Sequence, residues 1–505
     1  MVHIQRNVSP VTAQSLTVLS MEPSDTSAPP HGGNPAPPAN LTAASEQAPA
    51  PATRSTIVAW ALWDWGSAAF NAVIITFVFT PYLTSKVAGD HDSGTAALGF
   101  VSALAGLLVA VIAPAAGVRA DSKANHHRAV MSFTMIVVAL MGALFFVKDS
   151  PEYFVPGLVI LCIAQVVFEI AQVSYNGMLP HISTPANAGT VSNVGWAMGY
   201  LGGLALLFIA LFTLIQPEVG LFGATDEGGL RFRLVAVLAA VWFLIFSLPL
   251  MFSKRTSARP ASGDSGSGVA DPEDAGSDDT DPARPTSREL RGFAAWKADY
   301  ARVIRRLVEL FKVERSTFVF FVASAIFRDG LATIFAMAGV IAAGAYEFSG
   351  SEVIYLGIAA NVVAGVGCLI AGKFDDWLGP KAVIVTGLIC LIAGCVPILV
   401  SENKTVFWIT AMWLCLFVGP VQASSRSFLS RITAPERAGE NFGLYATTGR
   451  AVSFLGPALF ALCVTIFGFQ RAGGLGIMIV LALGLALMLR AVSYTHLTLP
   501  TTPYV

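Results

Sequence analysis

The chain has 505 residues, of which 54% are hydrophobic and 12% are charged. Soluble globular proteins carry about 25% charged residues, so this composition excludes a water-soluble enzyme. The formal net charge of -1 provides no cationic excess to neutralise a phosphate backbone, which excludes nucleic acid as a partner. The six cysteines lie in apolar stretches without a Cys-x-x-Cys pair. They predict no disulfide framework, and we expect no metal and no cofactor.

Residues 1–55 are rich in Pro, Ala, Ser and Thr and poor in aromatic residues, which predicts a disordered tail. A membrane-crossing helix needs about 20 apolar residues. Twelve such stretches follow and are numbered here as spans 1 to 12: near 57–84, 95–118, 129–147, 153–179, 190–215, 231–252, 316–344, 352–372, 380–400, 405–426, 441–468 and 473–490. We therefore predict an all-α membrane protein with twelve transmembrane helices.

A polar insert separates spans 6 and 7. Residues 253–288 are rich in Asp, Gly, Ser and Pro, as is typical of a flexible linker. Residues 289–313 then place apolar residues at helical spacing among basic ones, which favours an amphipathic helix on an anionic membrane surface. The predicted organisation is a tail at 1–55, a six-helix bundle at 56–252, a cytoplasmic linker at 253–315, a second six-helix bundle at 316–492, and a segment at 493–505.

The terminal segment and the cationic residues complete this outline. Residues 493–505 look like translated sequencing-adaptor read-through, and an ordinary polar tail is the alternative.

Lys and Arg concentrate in the tail, the central linker and the loops after spans 2, 8 and 10. The positive-inside rule then places both termini in the cytoplasm. We expect a monomeric multi-pass protein of the cell membrane, with the lipid bilayer as its surroundings.

The two halves repeat one loop pattern. It consists of a Gly, an Asp four residues later and a following base: Gly117, Asp121 and Arg128 after span 2, and Gly372, Asp376 and Lys381 after span 8. Two matched six-helix halves are the arrangement in which a solute site forms between repeats and access alternates by rocking.

The repeated loop resembles the signature loop of the major facilitator superfamily, over nearly all of residues 57–490. A narrower resemblance lies in "WALWDWGSAAFNAVIITFVF", "NVGWAMGYLGG" and "GPVQASSRSFLSRITAPERAGENFGLYATTGR". These segments are similar to the "unknown major facilitator" family, whose eukaryotic relatives are vacuolar amino-acid effluxers linked to autophagy. The resemblance implies the major facilitator fold, with two six-helix pseudo-repeats.

The resemblance also implies a role for the repeated loops as the inner gate. There each Asp meets a helix N-terminus or an Arg in only one conformational state. An ordinary cytoplasmic turn is the alternative. The Gly-rich motif of superfamily antiporters is not intact on span 5, because Tyr200 stands where a Pro is expected. That motif therefore gives no support for export.

Polar and ionisable residues within the spans are the candidates for binding a solute or a coupling proton, because an ion in hydrocarbon costs at least about 2.5 kcal/mol. Four of them share one face of span 4, which predicts the wall of a wet cavity: Gln165, Glu169, Gln172 and Asn176. The others are Asp64 and Asn71 on span 1, Arg328 and Asp329 on span 7, and Arg450 on span 11.

Two of these carboxylates, Asp64 and Glu169, are the candidates for a coupling proton. The alternative for Asp64 is a place in an interfacial belt with its neighbouring Trp residues. A fixed ion pair between helices is the alternative for Glu169 and Arg328. Arg426, at the cytoplasmic end of span 10, is interpreted as a snorkelling anchor. The adjacent residues His126 and His127 are interpreted as solvated.

A guanidinium and carboxylates near the membrane midplane are suited to a zwitterion. We therefore predict a secondary active transporter, not an enzyme, that moves an amino acid or similar small solute by alternating access, coupled to protons. Two alternatives stay open. One is a drug or lipid exporter of the same fold, and the other is a non-transporting membrane sensor or scaffold.

Overall fold

A computed structural model of the chain describes residues 53–89, 91–122, 126–253 and 293–491. The predicted tail up to residue 52, the polar insert at 254–292 and the terminal segment from residue 492 lie outside the described residues. The domain assignments made for those three segments therefore stay predictions.

Twelve helices in the described ranges are long and apolar enough to cross a membrane, which confirms the predicted number. Spans 1 to 12 are Arg54–Val87, Ala96–Asp121, His126–Phe146, Pro151–Ile182, Ala188–Ile215, Glu227–Phe252, Arg315–Tyr346, Glu352–Leu378, Pro380–Val400, Lys404–Ile432, Pro435–Phe467 and Gln470–Arg490. The even-numbered spans end, and the odd-numbered spans begin, on the side called here the linker side.

Local sequence explains where several spans begin. The Ser349 hydroxyl accepts a hydrogen bond from the Glu352 amide while the Glu352 carboxylate accepts one from the Ser349 amide, which forms a capping box before span 8. The Asn403 side chain accepts from the Thr405 amide at the start of span 10. Pro380 opens span 9, where its fixed φ suits the first helical turn.

Span 1 departs from regular α-helix. It is α-helical over Arg54–Ala68 and then π-helical over Ala69–Phe77. The wider turn rotates the following residues about the helix axis, so the face predicted from α-helical spacing does not continue to Asn71. Asn71 is exposed, and its side chain joins none of the hydrogen bonds among the described residues. The structure therefore does not bring Asn71 to the other predicted site residues.

Each half of the bundle has its own aromatic core. In the first half, Trp63 stacks on Tyr175 with ring centroids 4.2 Å apart and contacts Phe243 edge-on. In the second half, Phe320 stacks on Phe428 at 4.4 Å. Spans 2 and 5 of the first half pack along spans 11 and 8 of the second half, which holds the two cores side by side.

The helix Phe293–Lys312, called here the linker helix, packs against the linker side of the bundle. Asp299 accepts a 2.6 Å hydrogen bond from Arg119 at the end of span 2. Val303 and Leu310 are buried on the same face. Because the spans cover this face, the helix is tied to the protein, and its contact with the membrane surface stays a prediction.

Replacing a buried residue of the linker helix should release it. Leu310→Asp places a carboxylate where the side chain is fully buried, at a cost of about 2–5 kcal/mol. We expect faster tryptic cleavage at Arg302 and Arg305 in purified protein. Ile304→Asp, on the exposed face, is the matched control. Equal cleavage rates in both variants would contradict the docking of this helix.

Candidate functional site

A buried arginine on span 10 joins the two halves. The Arg426 guanidinium donates hydrogen bonds to the Ser192 hydroxyl at 3.0 Å and the Ser192 carbonyl at 2.6 Å on span 5. It also donates to the Asn176 side-chain oxygen on span 4 at 3.0 Å. One of its nitrogens lies 3.6 Å from a carboxylate oxygen of Asp64 on span 1. A single side chain of the second half thus holds three spans of the first.

Aromatic rings enclose the same guanidinium. Its central carbon lies 4.9 Å from the Trp60 ring, 5.8 Å from Tyr175 and 5.7 Å from Trp196, and such contacts are worth about 2 kcal/mol when desolvated. Arg426 is 4% exposed, so its interpretation as a snorkelling anchor is wrong. Trp60 and Trp63 are also buried, which contradicts the interfacial belt proposed as the alternative for Asp64.

A second ion pair crosses between the halves at mid-span. Glu169 on span 4 accepts a hydrogen bond from Arg450 on span 11. Glu169 shares its helical face with Gln165, Gln172 and Asn176, and all four are half-buried. The predicted polar stripe therefore exists. It connects the Arg450 pair to the Arg426 cluster, because Asn176 is a partner of Arg426.

The two ionisable residues predicted on span 7 have different surroundings. The Arg328 guanidinium lies over the Tyr445 ring at 3.9 Å and donates to the Tyr445 carbonyl at 3.3 Å. Asp329 is buried and accepts a 2.5 Å hydrogen bond from the Gly456 amide, where span 11 resumes as the helix Leu455–Phe467. The Asp329 carboxylate thus caps that helix and does not join the ion pairs between the halves.

The first repeated loop closes onto the start of span 11. Asp121 accepts hydrogen bonds of 2.7 Å from the amides of Gly439 and Glu440. Its carboxylate also lies 2.8 Å from the His126 ring nitrogen. A carboxylate at a helix N-terminus satisfies free amides and opposes the positive end of the helix dipole. His126 is buried, so its interpretation as a solvated residue is wrong.

The second repeated loop makes the matching contact with span 5. Asp376 accepts hydrogen bonds of 2.8 Å and 2.9 Å from the amides of Gly189 and Thr190. Arg431 pairs with Asp376 at 2.9 Å and with the fully buried Asp375 at 3.0 Å. Each loop therefore caps the first turn of a helix in the other half.

The glycines of these loops allow the halves to approach. A Cβ atom at Gly117 would overlap the Gly439 carbonyl oxygen, and a Cβ at Gly439 would overlap the Gly117 carbonyl oxygen. At Gly372 an added Cβ would come within 3.1 Å of the Thr190 Cα. Spans 2 and 11 thus meet backbone to backbone, which any larger residue prevents.

The predicted basic members of the two loops do not contact the aspartates. Arg128 is exposed and forms no ion pair among the described residues. Lys381 donates to the carbonyls of Leu489 and Ala491 at the end of span 12. The side chains beside the aspartates are instead His126 for Asp121 and Arg431 for Asp376. Both residues lie on the helix that follows the loop, and the gate role implied for Arg128 and Lys381 stays a prediction.

Contacts between the halves are confined to one side. Among the described residues, the hydrogen bonds, ion pairs and ring contacts that cross between the halves lie between the linker side and the level of Glu169–Arg450 and Tyr200–Phe335. Within the described ranges, the far ends of the same spans, such as 96–104 and 455–467, take part in none of them. The arrangement is closed on the linker side.

Comparison with known proteins agrees with this architecture. Residues 89–494 match the family described as "Vacuole effluxer Atg22 like". The chain belongs to this Atg22-like family of major facilitator transporters. The chain is 24% identical over 434 residues to the uncharacterized MFS-type transporter YxiO of Bacillus subtilis, a match that covers 85% of this chain and 93% of YxiO. It is 22% identical over 316 residues to autophagy-related protein 22-1 of Aspergillus fumigatus, and spans about half of that relative (47%).

Solved structures show the same fold for this Atg22-like transporter. The E. coli fucose:proton symporter superimposes with a TM-score of 0.61 at 12% identity, covering 87% of this chain and 98% of the symporter. A bacterial homologue of the iron transporter ferroportin, in an outward-facing state, gives a TM-score of 0.60 at 10% identity, covering 86% and 98%. At these identities the similarity establishes the major facilitator fold.

Sequence reasoning missed the helix starts that receive the two aspartates. A repeated signal for them exists in the Pro-x-x-Ala-Gly pattern, which occurs as Pro185 to Gly189 before span 5 and as Pro435 to Gly439 before span 11. In both halves the amide of this Gly donates a hydrogen bond to an Asp of the opposite half. Arg426 was missed because its place near the end of span 10 resembles that of an anchor.

Filling the space between spans 2 and 11 should open the linker side. Gly117→Ala places a methyl group against the Gly439 backbone, so we expect a longer distance between spin labels on the linker-side ends of these spans, measured by electron paramagnetic resonance. Gly99→Ala, where an added Cβ meets nothing within 4 Å on the same span, is the control. An unchanged distance in Gly117→Ala would contradict the close approach described here.

Removing the Arg426 side chain should destabilise the protein. In Arg426→Ala the buried Asp64 loses its cation, and breaking a buried pair costs about 3–5 kcal/mol. The thermal unfolding temperature should fall, and it should fall less in the double variant with Asp64→Asn than the two single losses add up to. The control is Arg490→Ala, at an exposed position. Additive losses would exclude a coupling between Asp64 and Arg426.

Proposed function

We propose that this Atg22-like protein is a secondary transporter that moves an amino acid or a similarly charged zwitterion by alternating access. The observation that carries the proposal is the pair of carboxylate–guanidinium contacts between the halves, Asp64–Arg426 and Glu169–Arg450. A zwitterion presents the same two groups, so its carboxylate fits a guanidinium and its ammonium fits a carboxylate. A solute that carries both charges can pair with the guanidinium and the carboxylate of such a contact, whereas a neutral solute leaves both charged groups without a charged partner.

The repeated loops give the transporter its gate. Asp121 and Asp376 cap helices of the opposite half only while the linker side is closed. When the halves rock apart on that side, both aspartates lose these amide partners and regain water. The gate therefore exchanges hydrogen bonds between the halves for hydration on each cycle, which allows two states of similar free energy.

Proton coupling follows from the same ion pairs. Protonating Asp64 or Glu169 removes the negative charge that holds Arg426 or Arg450 across the interface, so a proton weakens the contact between the halves. A transmembrane proton gradient then drives the conformational change. The positive-inside distribution of Lys and Arg supports a cytoplasmic linker side in the cell membrane.

The drug-exporter alternative is less consistent with these residues. Arg426 and Arg450 bring two guanidiniums to the contacts between the halves, and Arg328 lies against span 11 within the second half. An amphipathic cation would be repelled by them. The described residues thus favour a solute that carries a negative charge, alone or together with a positive one.

Transport by the purified protein in liposomes tests the proposal. With an imposed pH gradient, we expect flux of radiolabelled amino acids. Glu169→Gln should reduce the gradient-driven rate about tenfold or more, because one charge-assisted contact is lost. Glu152→Gln, the same change at an exposed position at the start of span 4, should transport like the wild type. Absence of amino-acid flux in the wild type would refute the proposed cargo.

A further inference from the structure

The two ion pairs between the halves differ in how much room they leave for a ligand. The Arg426 guanidinium is held by Ser192, Asn176 and Asp64, is covered by three rings, and has a side-chain exposure of 5%. Arg450 and Glu169 have side-chain exposures of 31% and 24%. A solute therefore reaches the Arg450 pair without dismantling the closed linker side, whereas Arg426 is inaccessible in this state.

Arg450 keeps hydrogen-bond donors for another ligand. Among the described hydrogen bonds, its guanidinium takes part in only the one to Glu169, although a guanidinium carries five N–H donors. Span 2 presents Gly106 opposite the Arg450 side chain, and a Cβ there would lie 4.0 Å from the Arg450 Cδ. Span 2 therefore places no side chain against the Arg450 Cδ at this position.

The neighbourhood of Arg450 also carries uncompensated positive charge. The Arg328 guanidinium lies against the Tyr445–Arg450 segment of span 11, where a Cβ at Gly449 would be 3.3 Å from it. No carboxylate of the described residues lies within 4 Å of Arg328. The adjacent Asp329 is engaged with the Gly456 amide. Arg328 and Arg450 thus place two guanidiniums at this segment of span 11. The carboxylate of Glu169 pairs with Arg450 across the interface between the halves.

We infer that the cargo carries a carboxylate that displaces Glu169 from Arg450, with Arg328 providing the second positive charge. This inference rests on the proposed transport function. The guanidinium of Arg450 binds a carboxylate through two parallel N–H donors. Glu169 occupies the Nη2 nitrogen, so a cargo carboxylate that binds through a pair including Nη2 competes with Glu169. Binding of the cargo breaks the ion pair between spans 4 and 11 and frees Glu169 to accept an ammonium group or a proton.

Acetate and methylammonium are the simplest probes of this competition. Their binding to the purified full chain is measured by tryptophan fluorescence at constant ionic strength, with chloride and sodium as counterions. Glu169→Gln removes the competing carboxylate, so acetate should bind about five- to tenfold more tightly than to the wild type. Methylammonium should bind Glu169→Gln no better than the wild type. Glu152→Gln, the same charge change at an exposed position, should leave acetate binding unaltered.

Variants of Arg450 locate the site. Arg450→Lys keeps the charge but not the two parallel donors, and should weaken acetate binding about tenfold in the Glu169→Gln background. A cooperative thermal transition in each variant shows that it is folded. Equal acetate affinity in wild type and Glu169→Gln, absence of acetate binding in both, or full acetate binding in Arg450→Lys would each overturn the inference.

The liposome assay separates this inference from the proposed function. Flux of a solute that lacks a carboxylate would overturn the inference and leave a transporter. Competition between acetate and Glu169 in a protein that moves no amino acid would support the carboxylate site and refute the proposed cargo.

Discussion

The structure depends on two aspartates that cap helices belonging to the opposite half of the chain. The first amides of a helix have no partner within the helix itself. The Asp121 carboxylate accepts hydrogen bonds from the first amides of span 11, and the Asp376 carboxylate accepts them from the first amides of span 5. Because these caps form between the halves, they favour the arrangement in which the linker side is closed. The same contacts position Arg426 and Arg450 against the first half.

Burial separates two kinds of ion pair in the same interface. Arg426 is surrounded by rings and donates three hydrogen bonds to the first half, so its contribution is to hold the closed arrangement. Arg450 contacts Glu169 and is partly exposed. A transporter needs both kinds, because a contact that a small solute displaces cannot also be the one that maintains the closed state.

Much of this architecture is predictable from sequence because its signals are local. Apolar length sets the twelve spans, and helical spacing reveals the polar face of span 4 that carries Glu169. Partners across the interface are not local. The side chains beside Asp121 and Asp376 are His126 and Arg431, and neither follows from the loop pattern that contains Arg128 and Lys381. Asn71 was misplaced because a π-helical stretch changes the rotation per residue after Ala68.

Backbone contact between Gly117 and Gly439 has a mechanical consequence. Where long side chains meet, an interface loosens gradually as rotamers adjust. Two backbones in direct contact have no side-chain rotamers that could adjust in this way. A small separation already breaks the short amide hydrogen bonds of Asp121. We therefore expect this contact to be made or lost as a unit when the halves move.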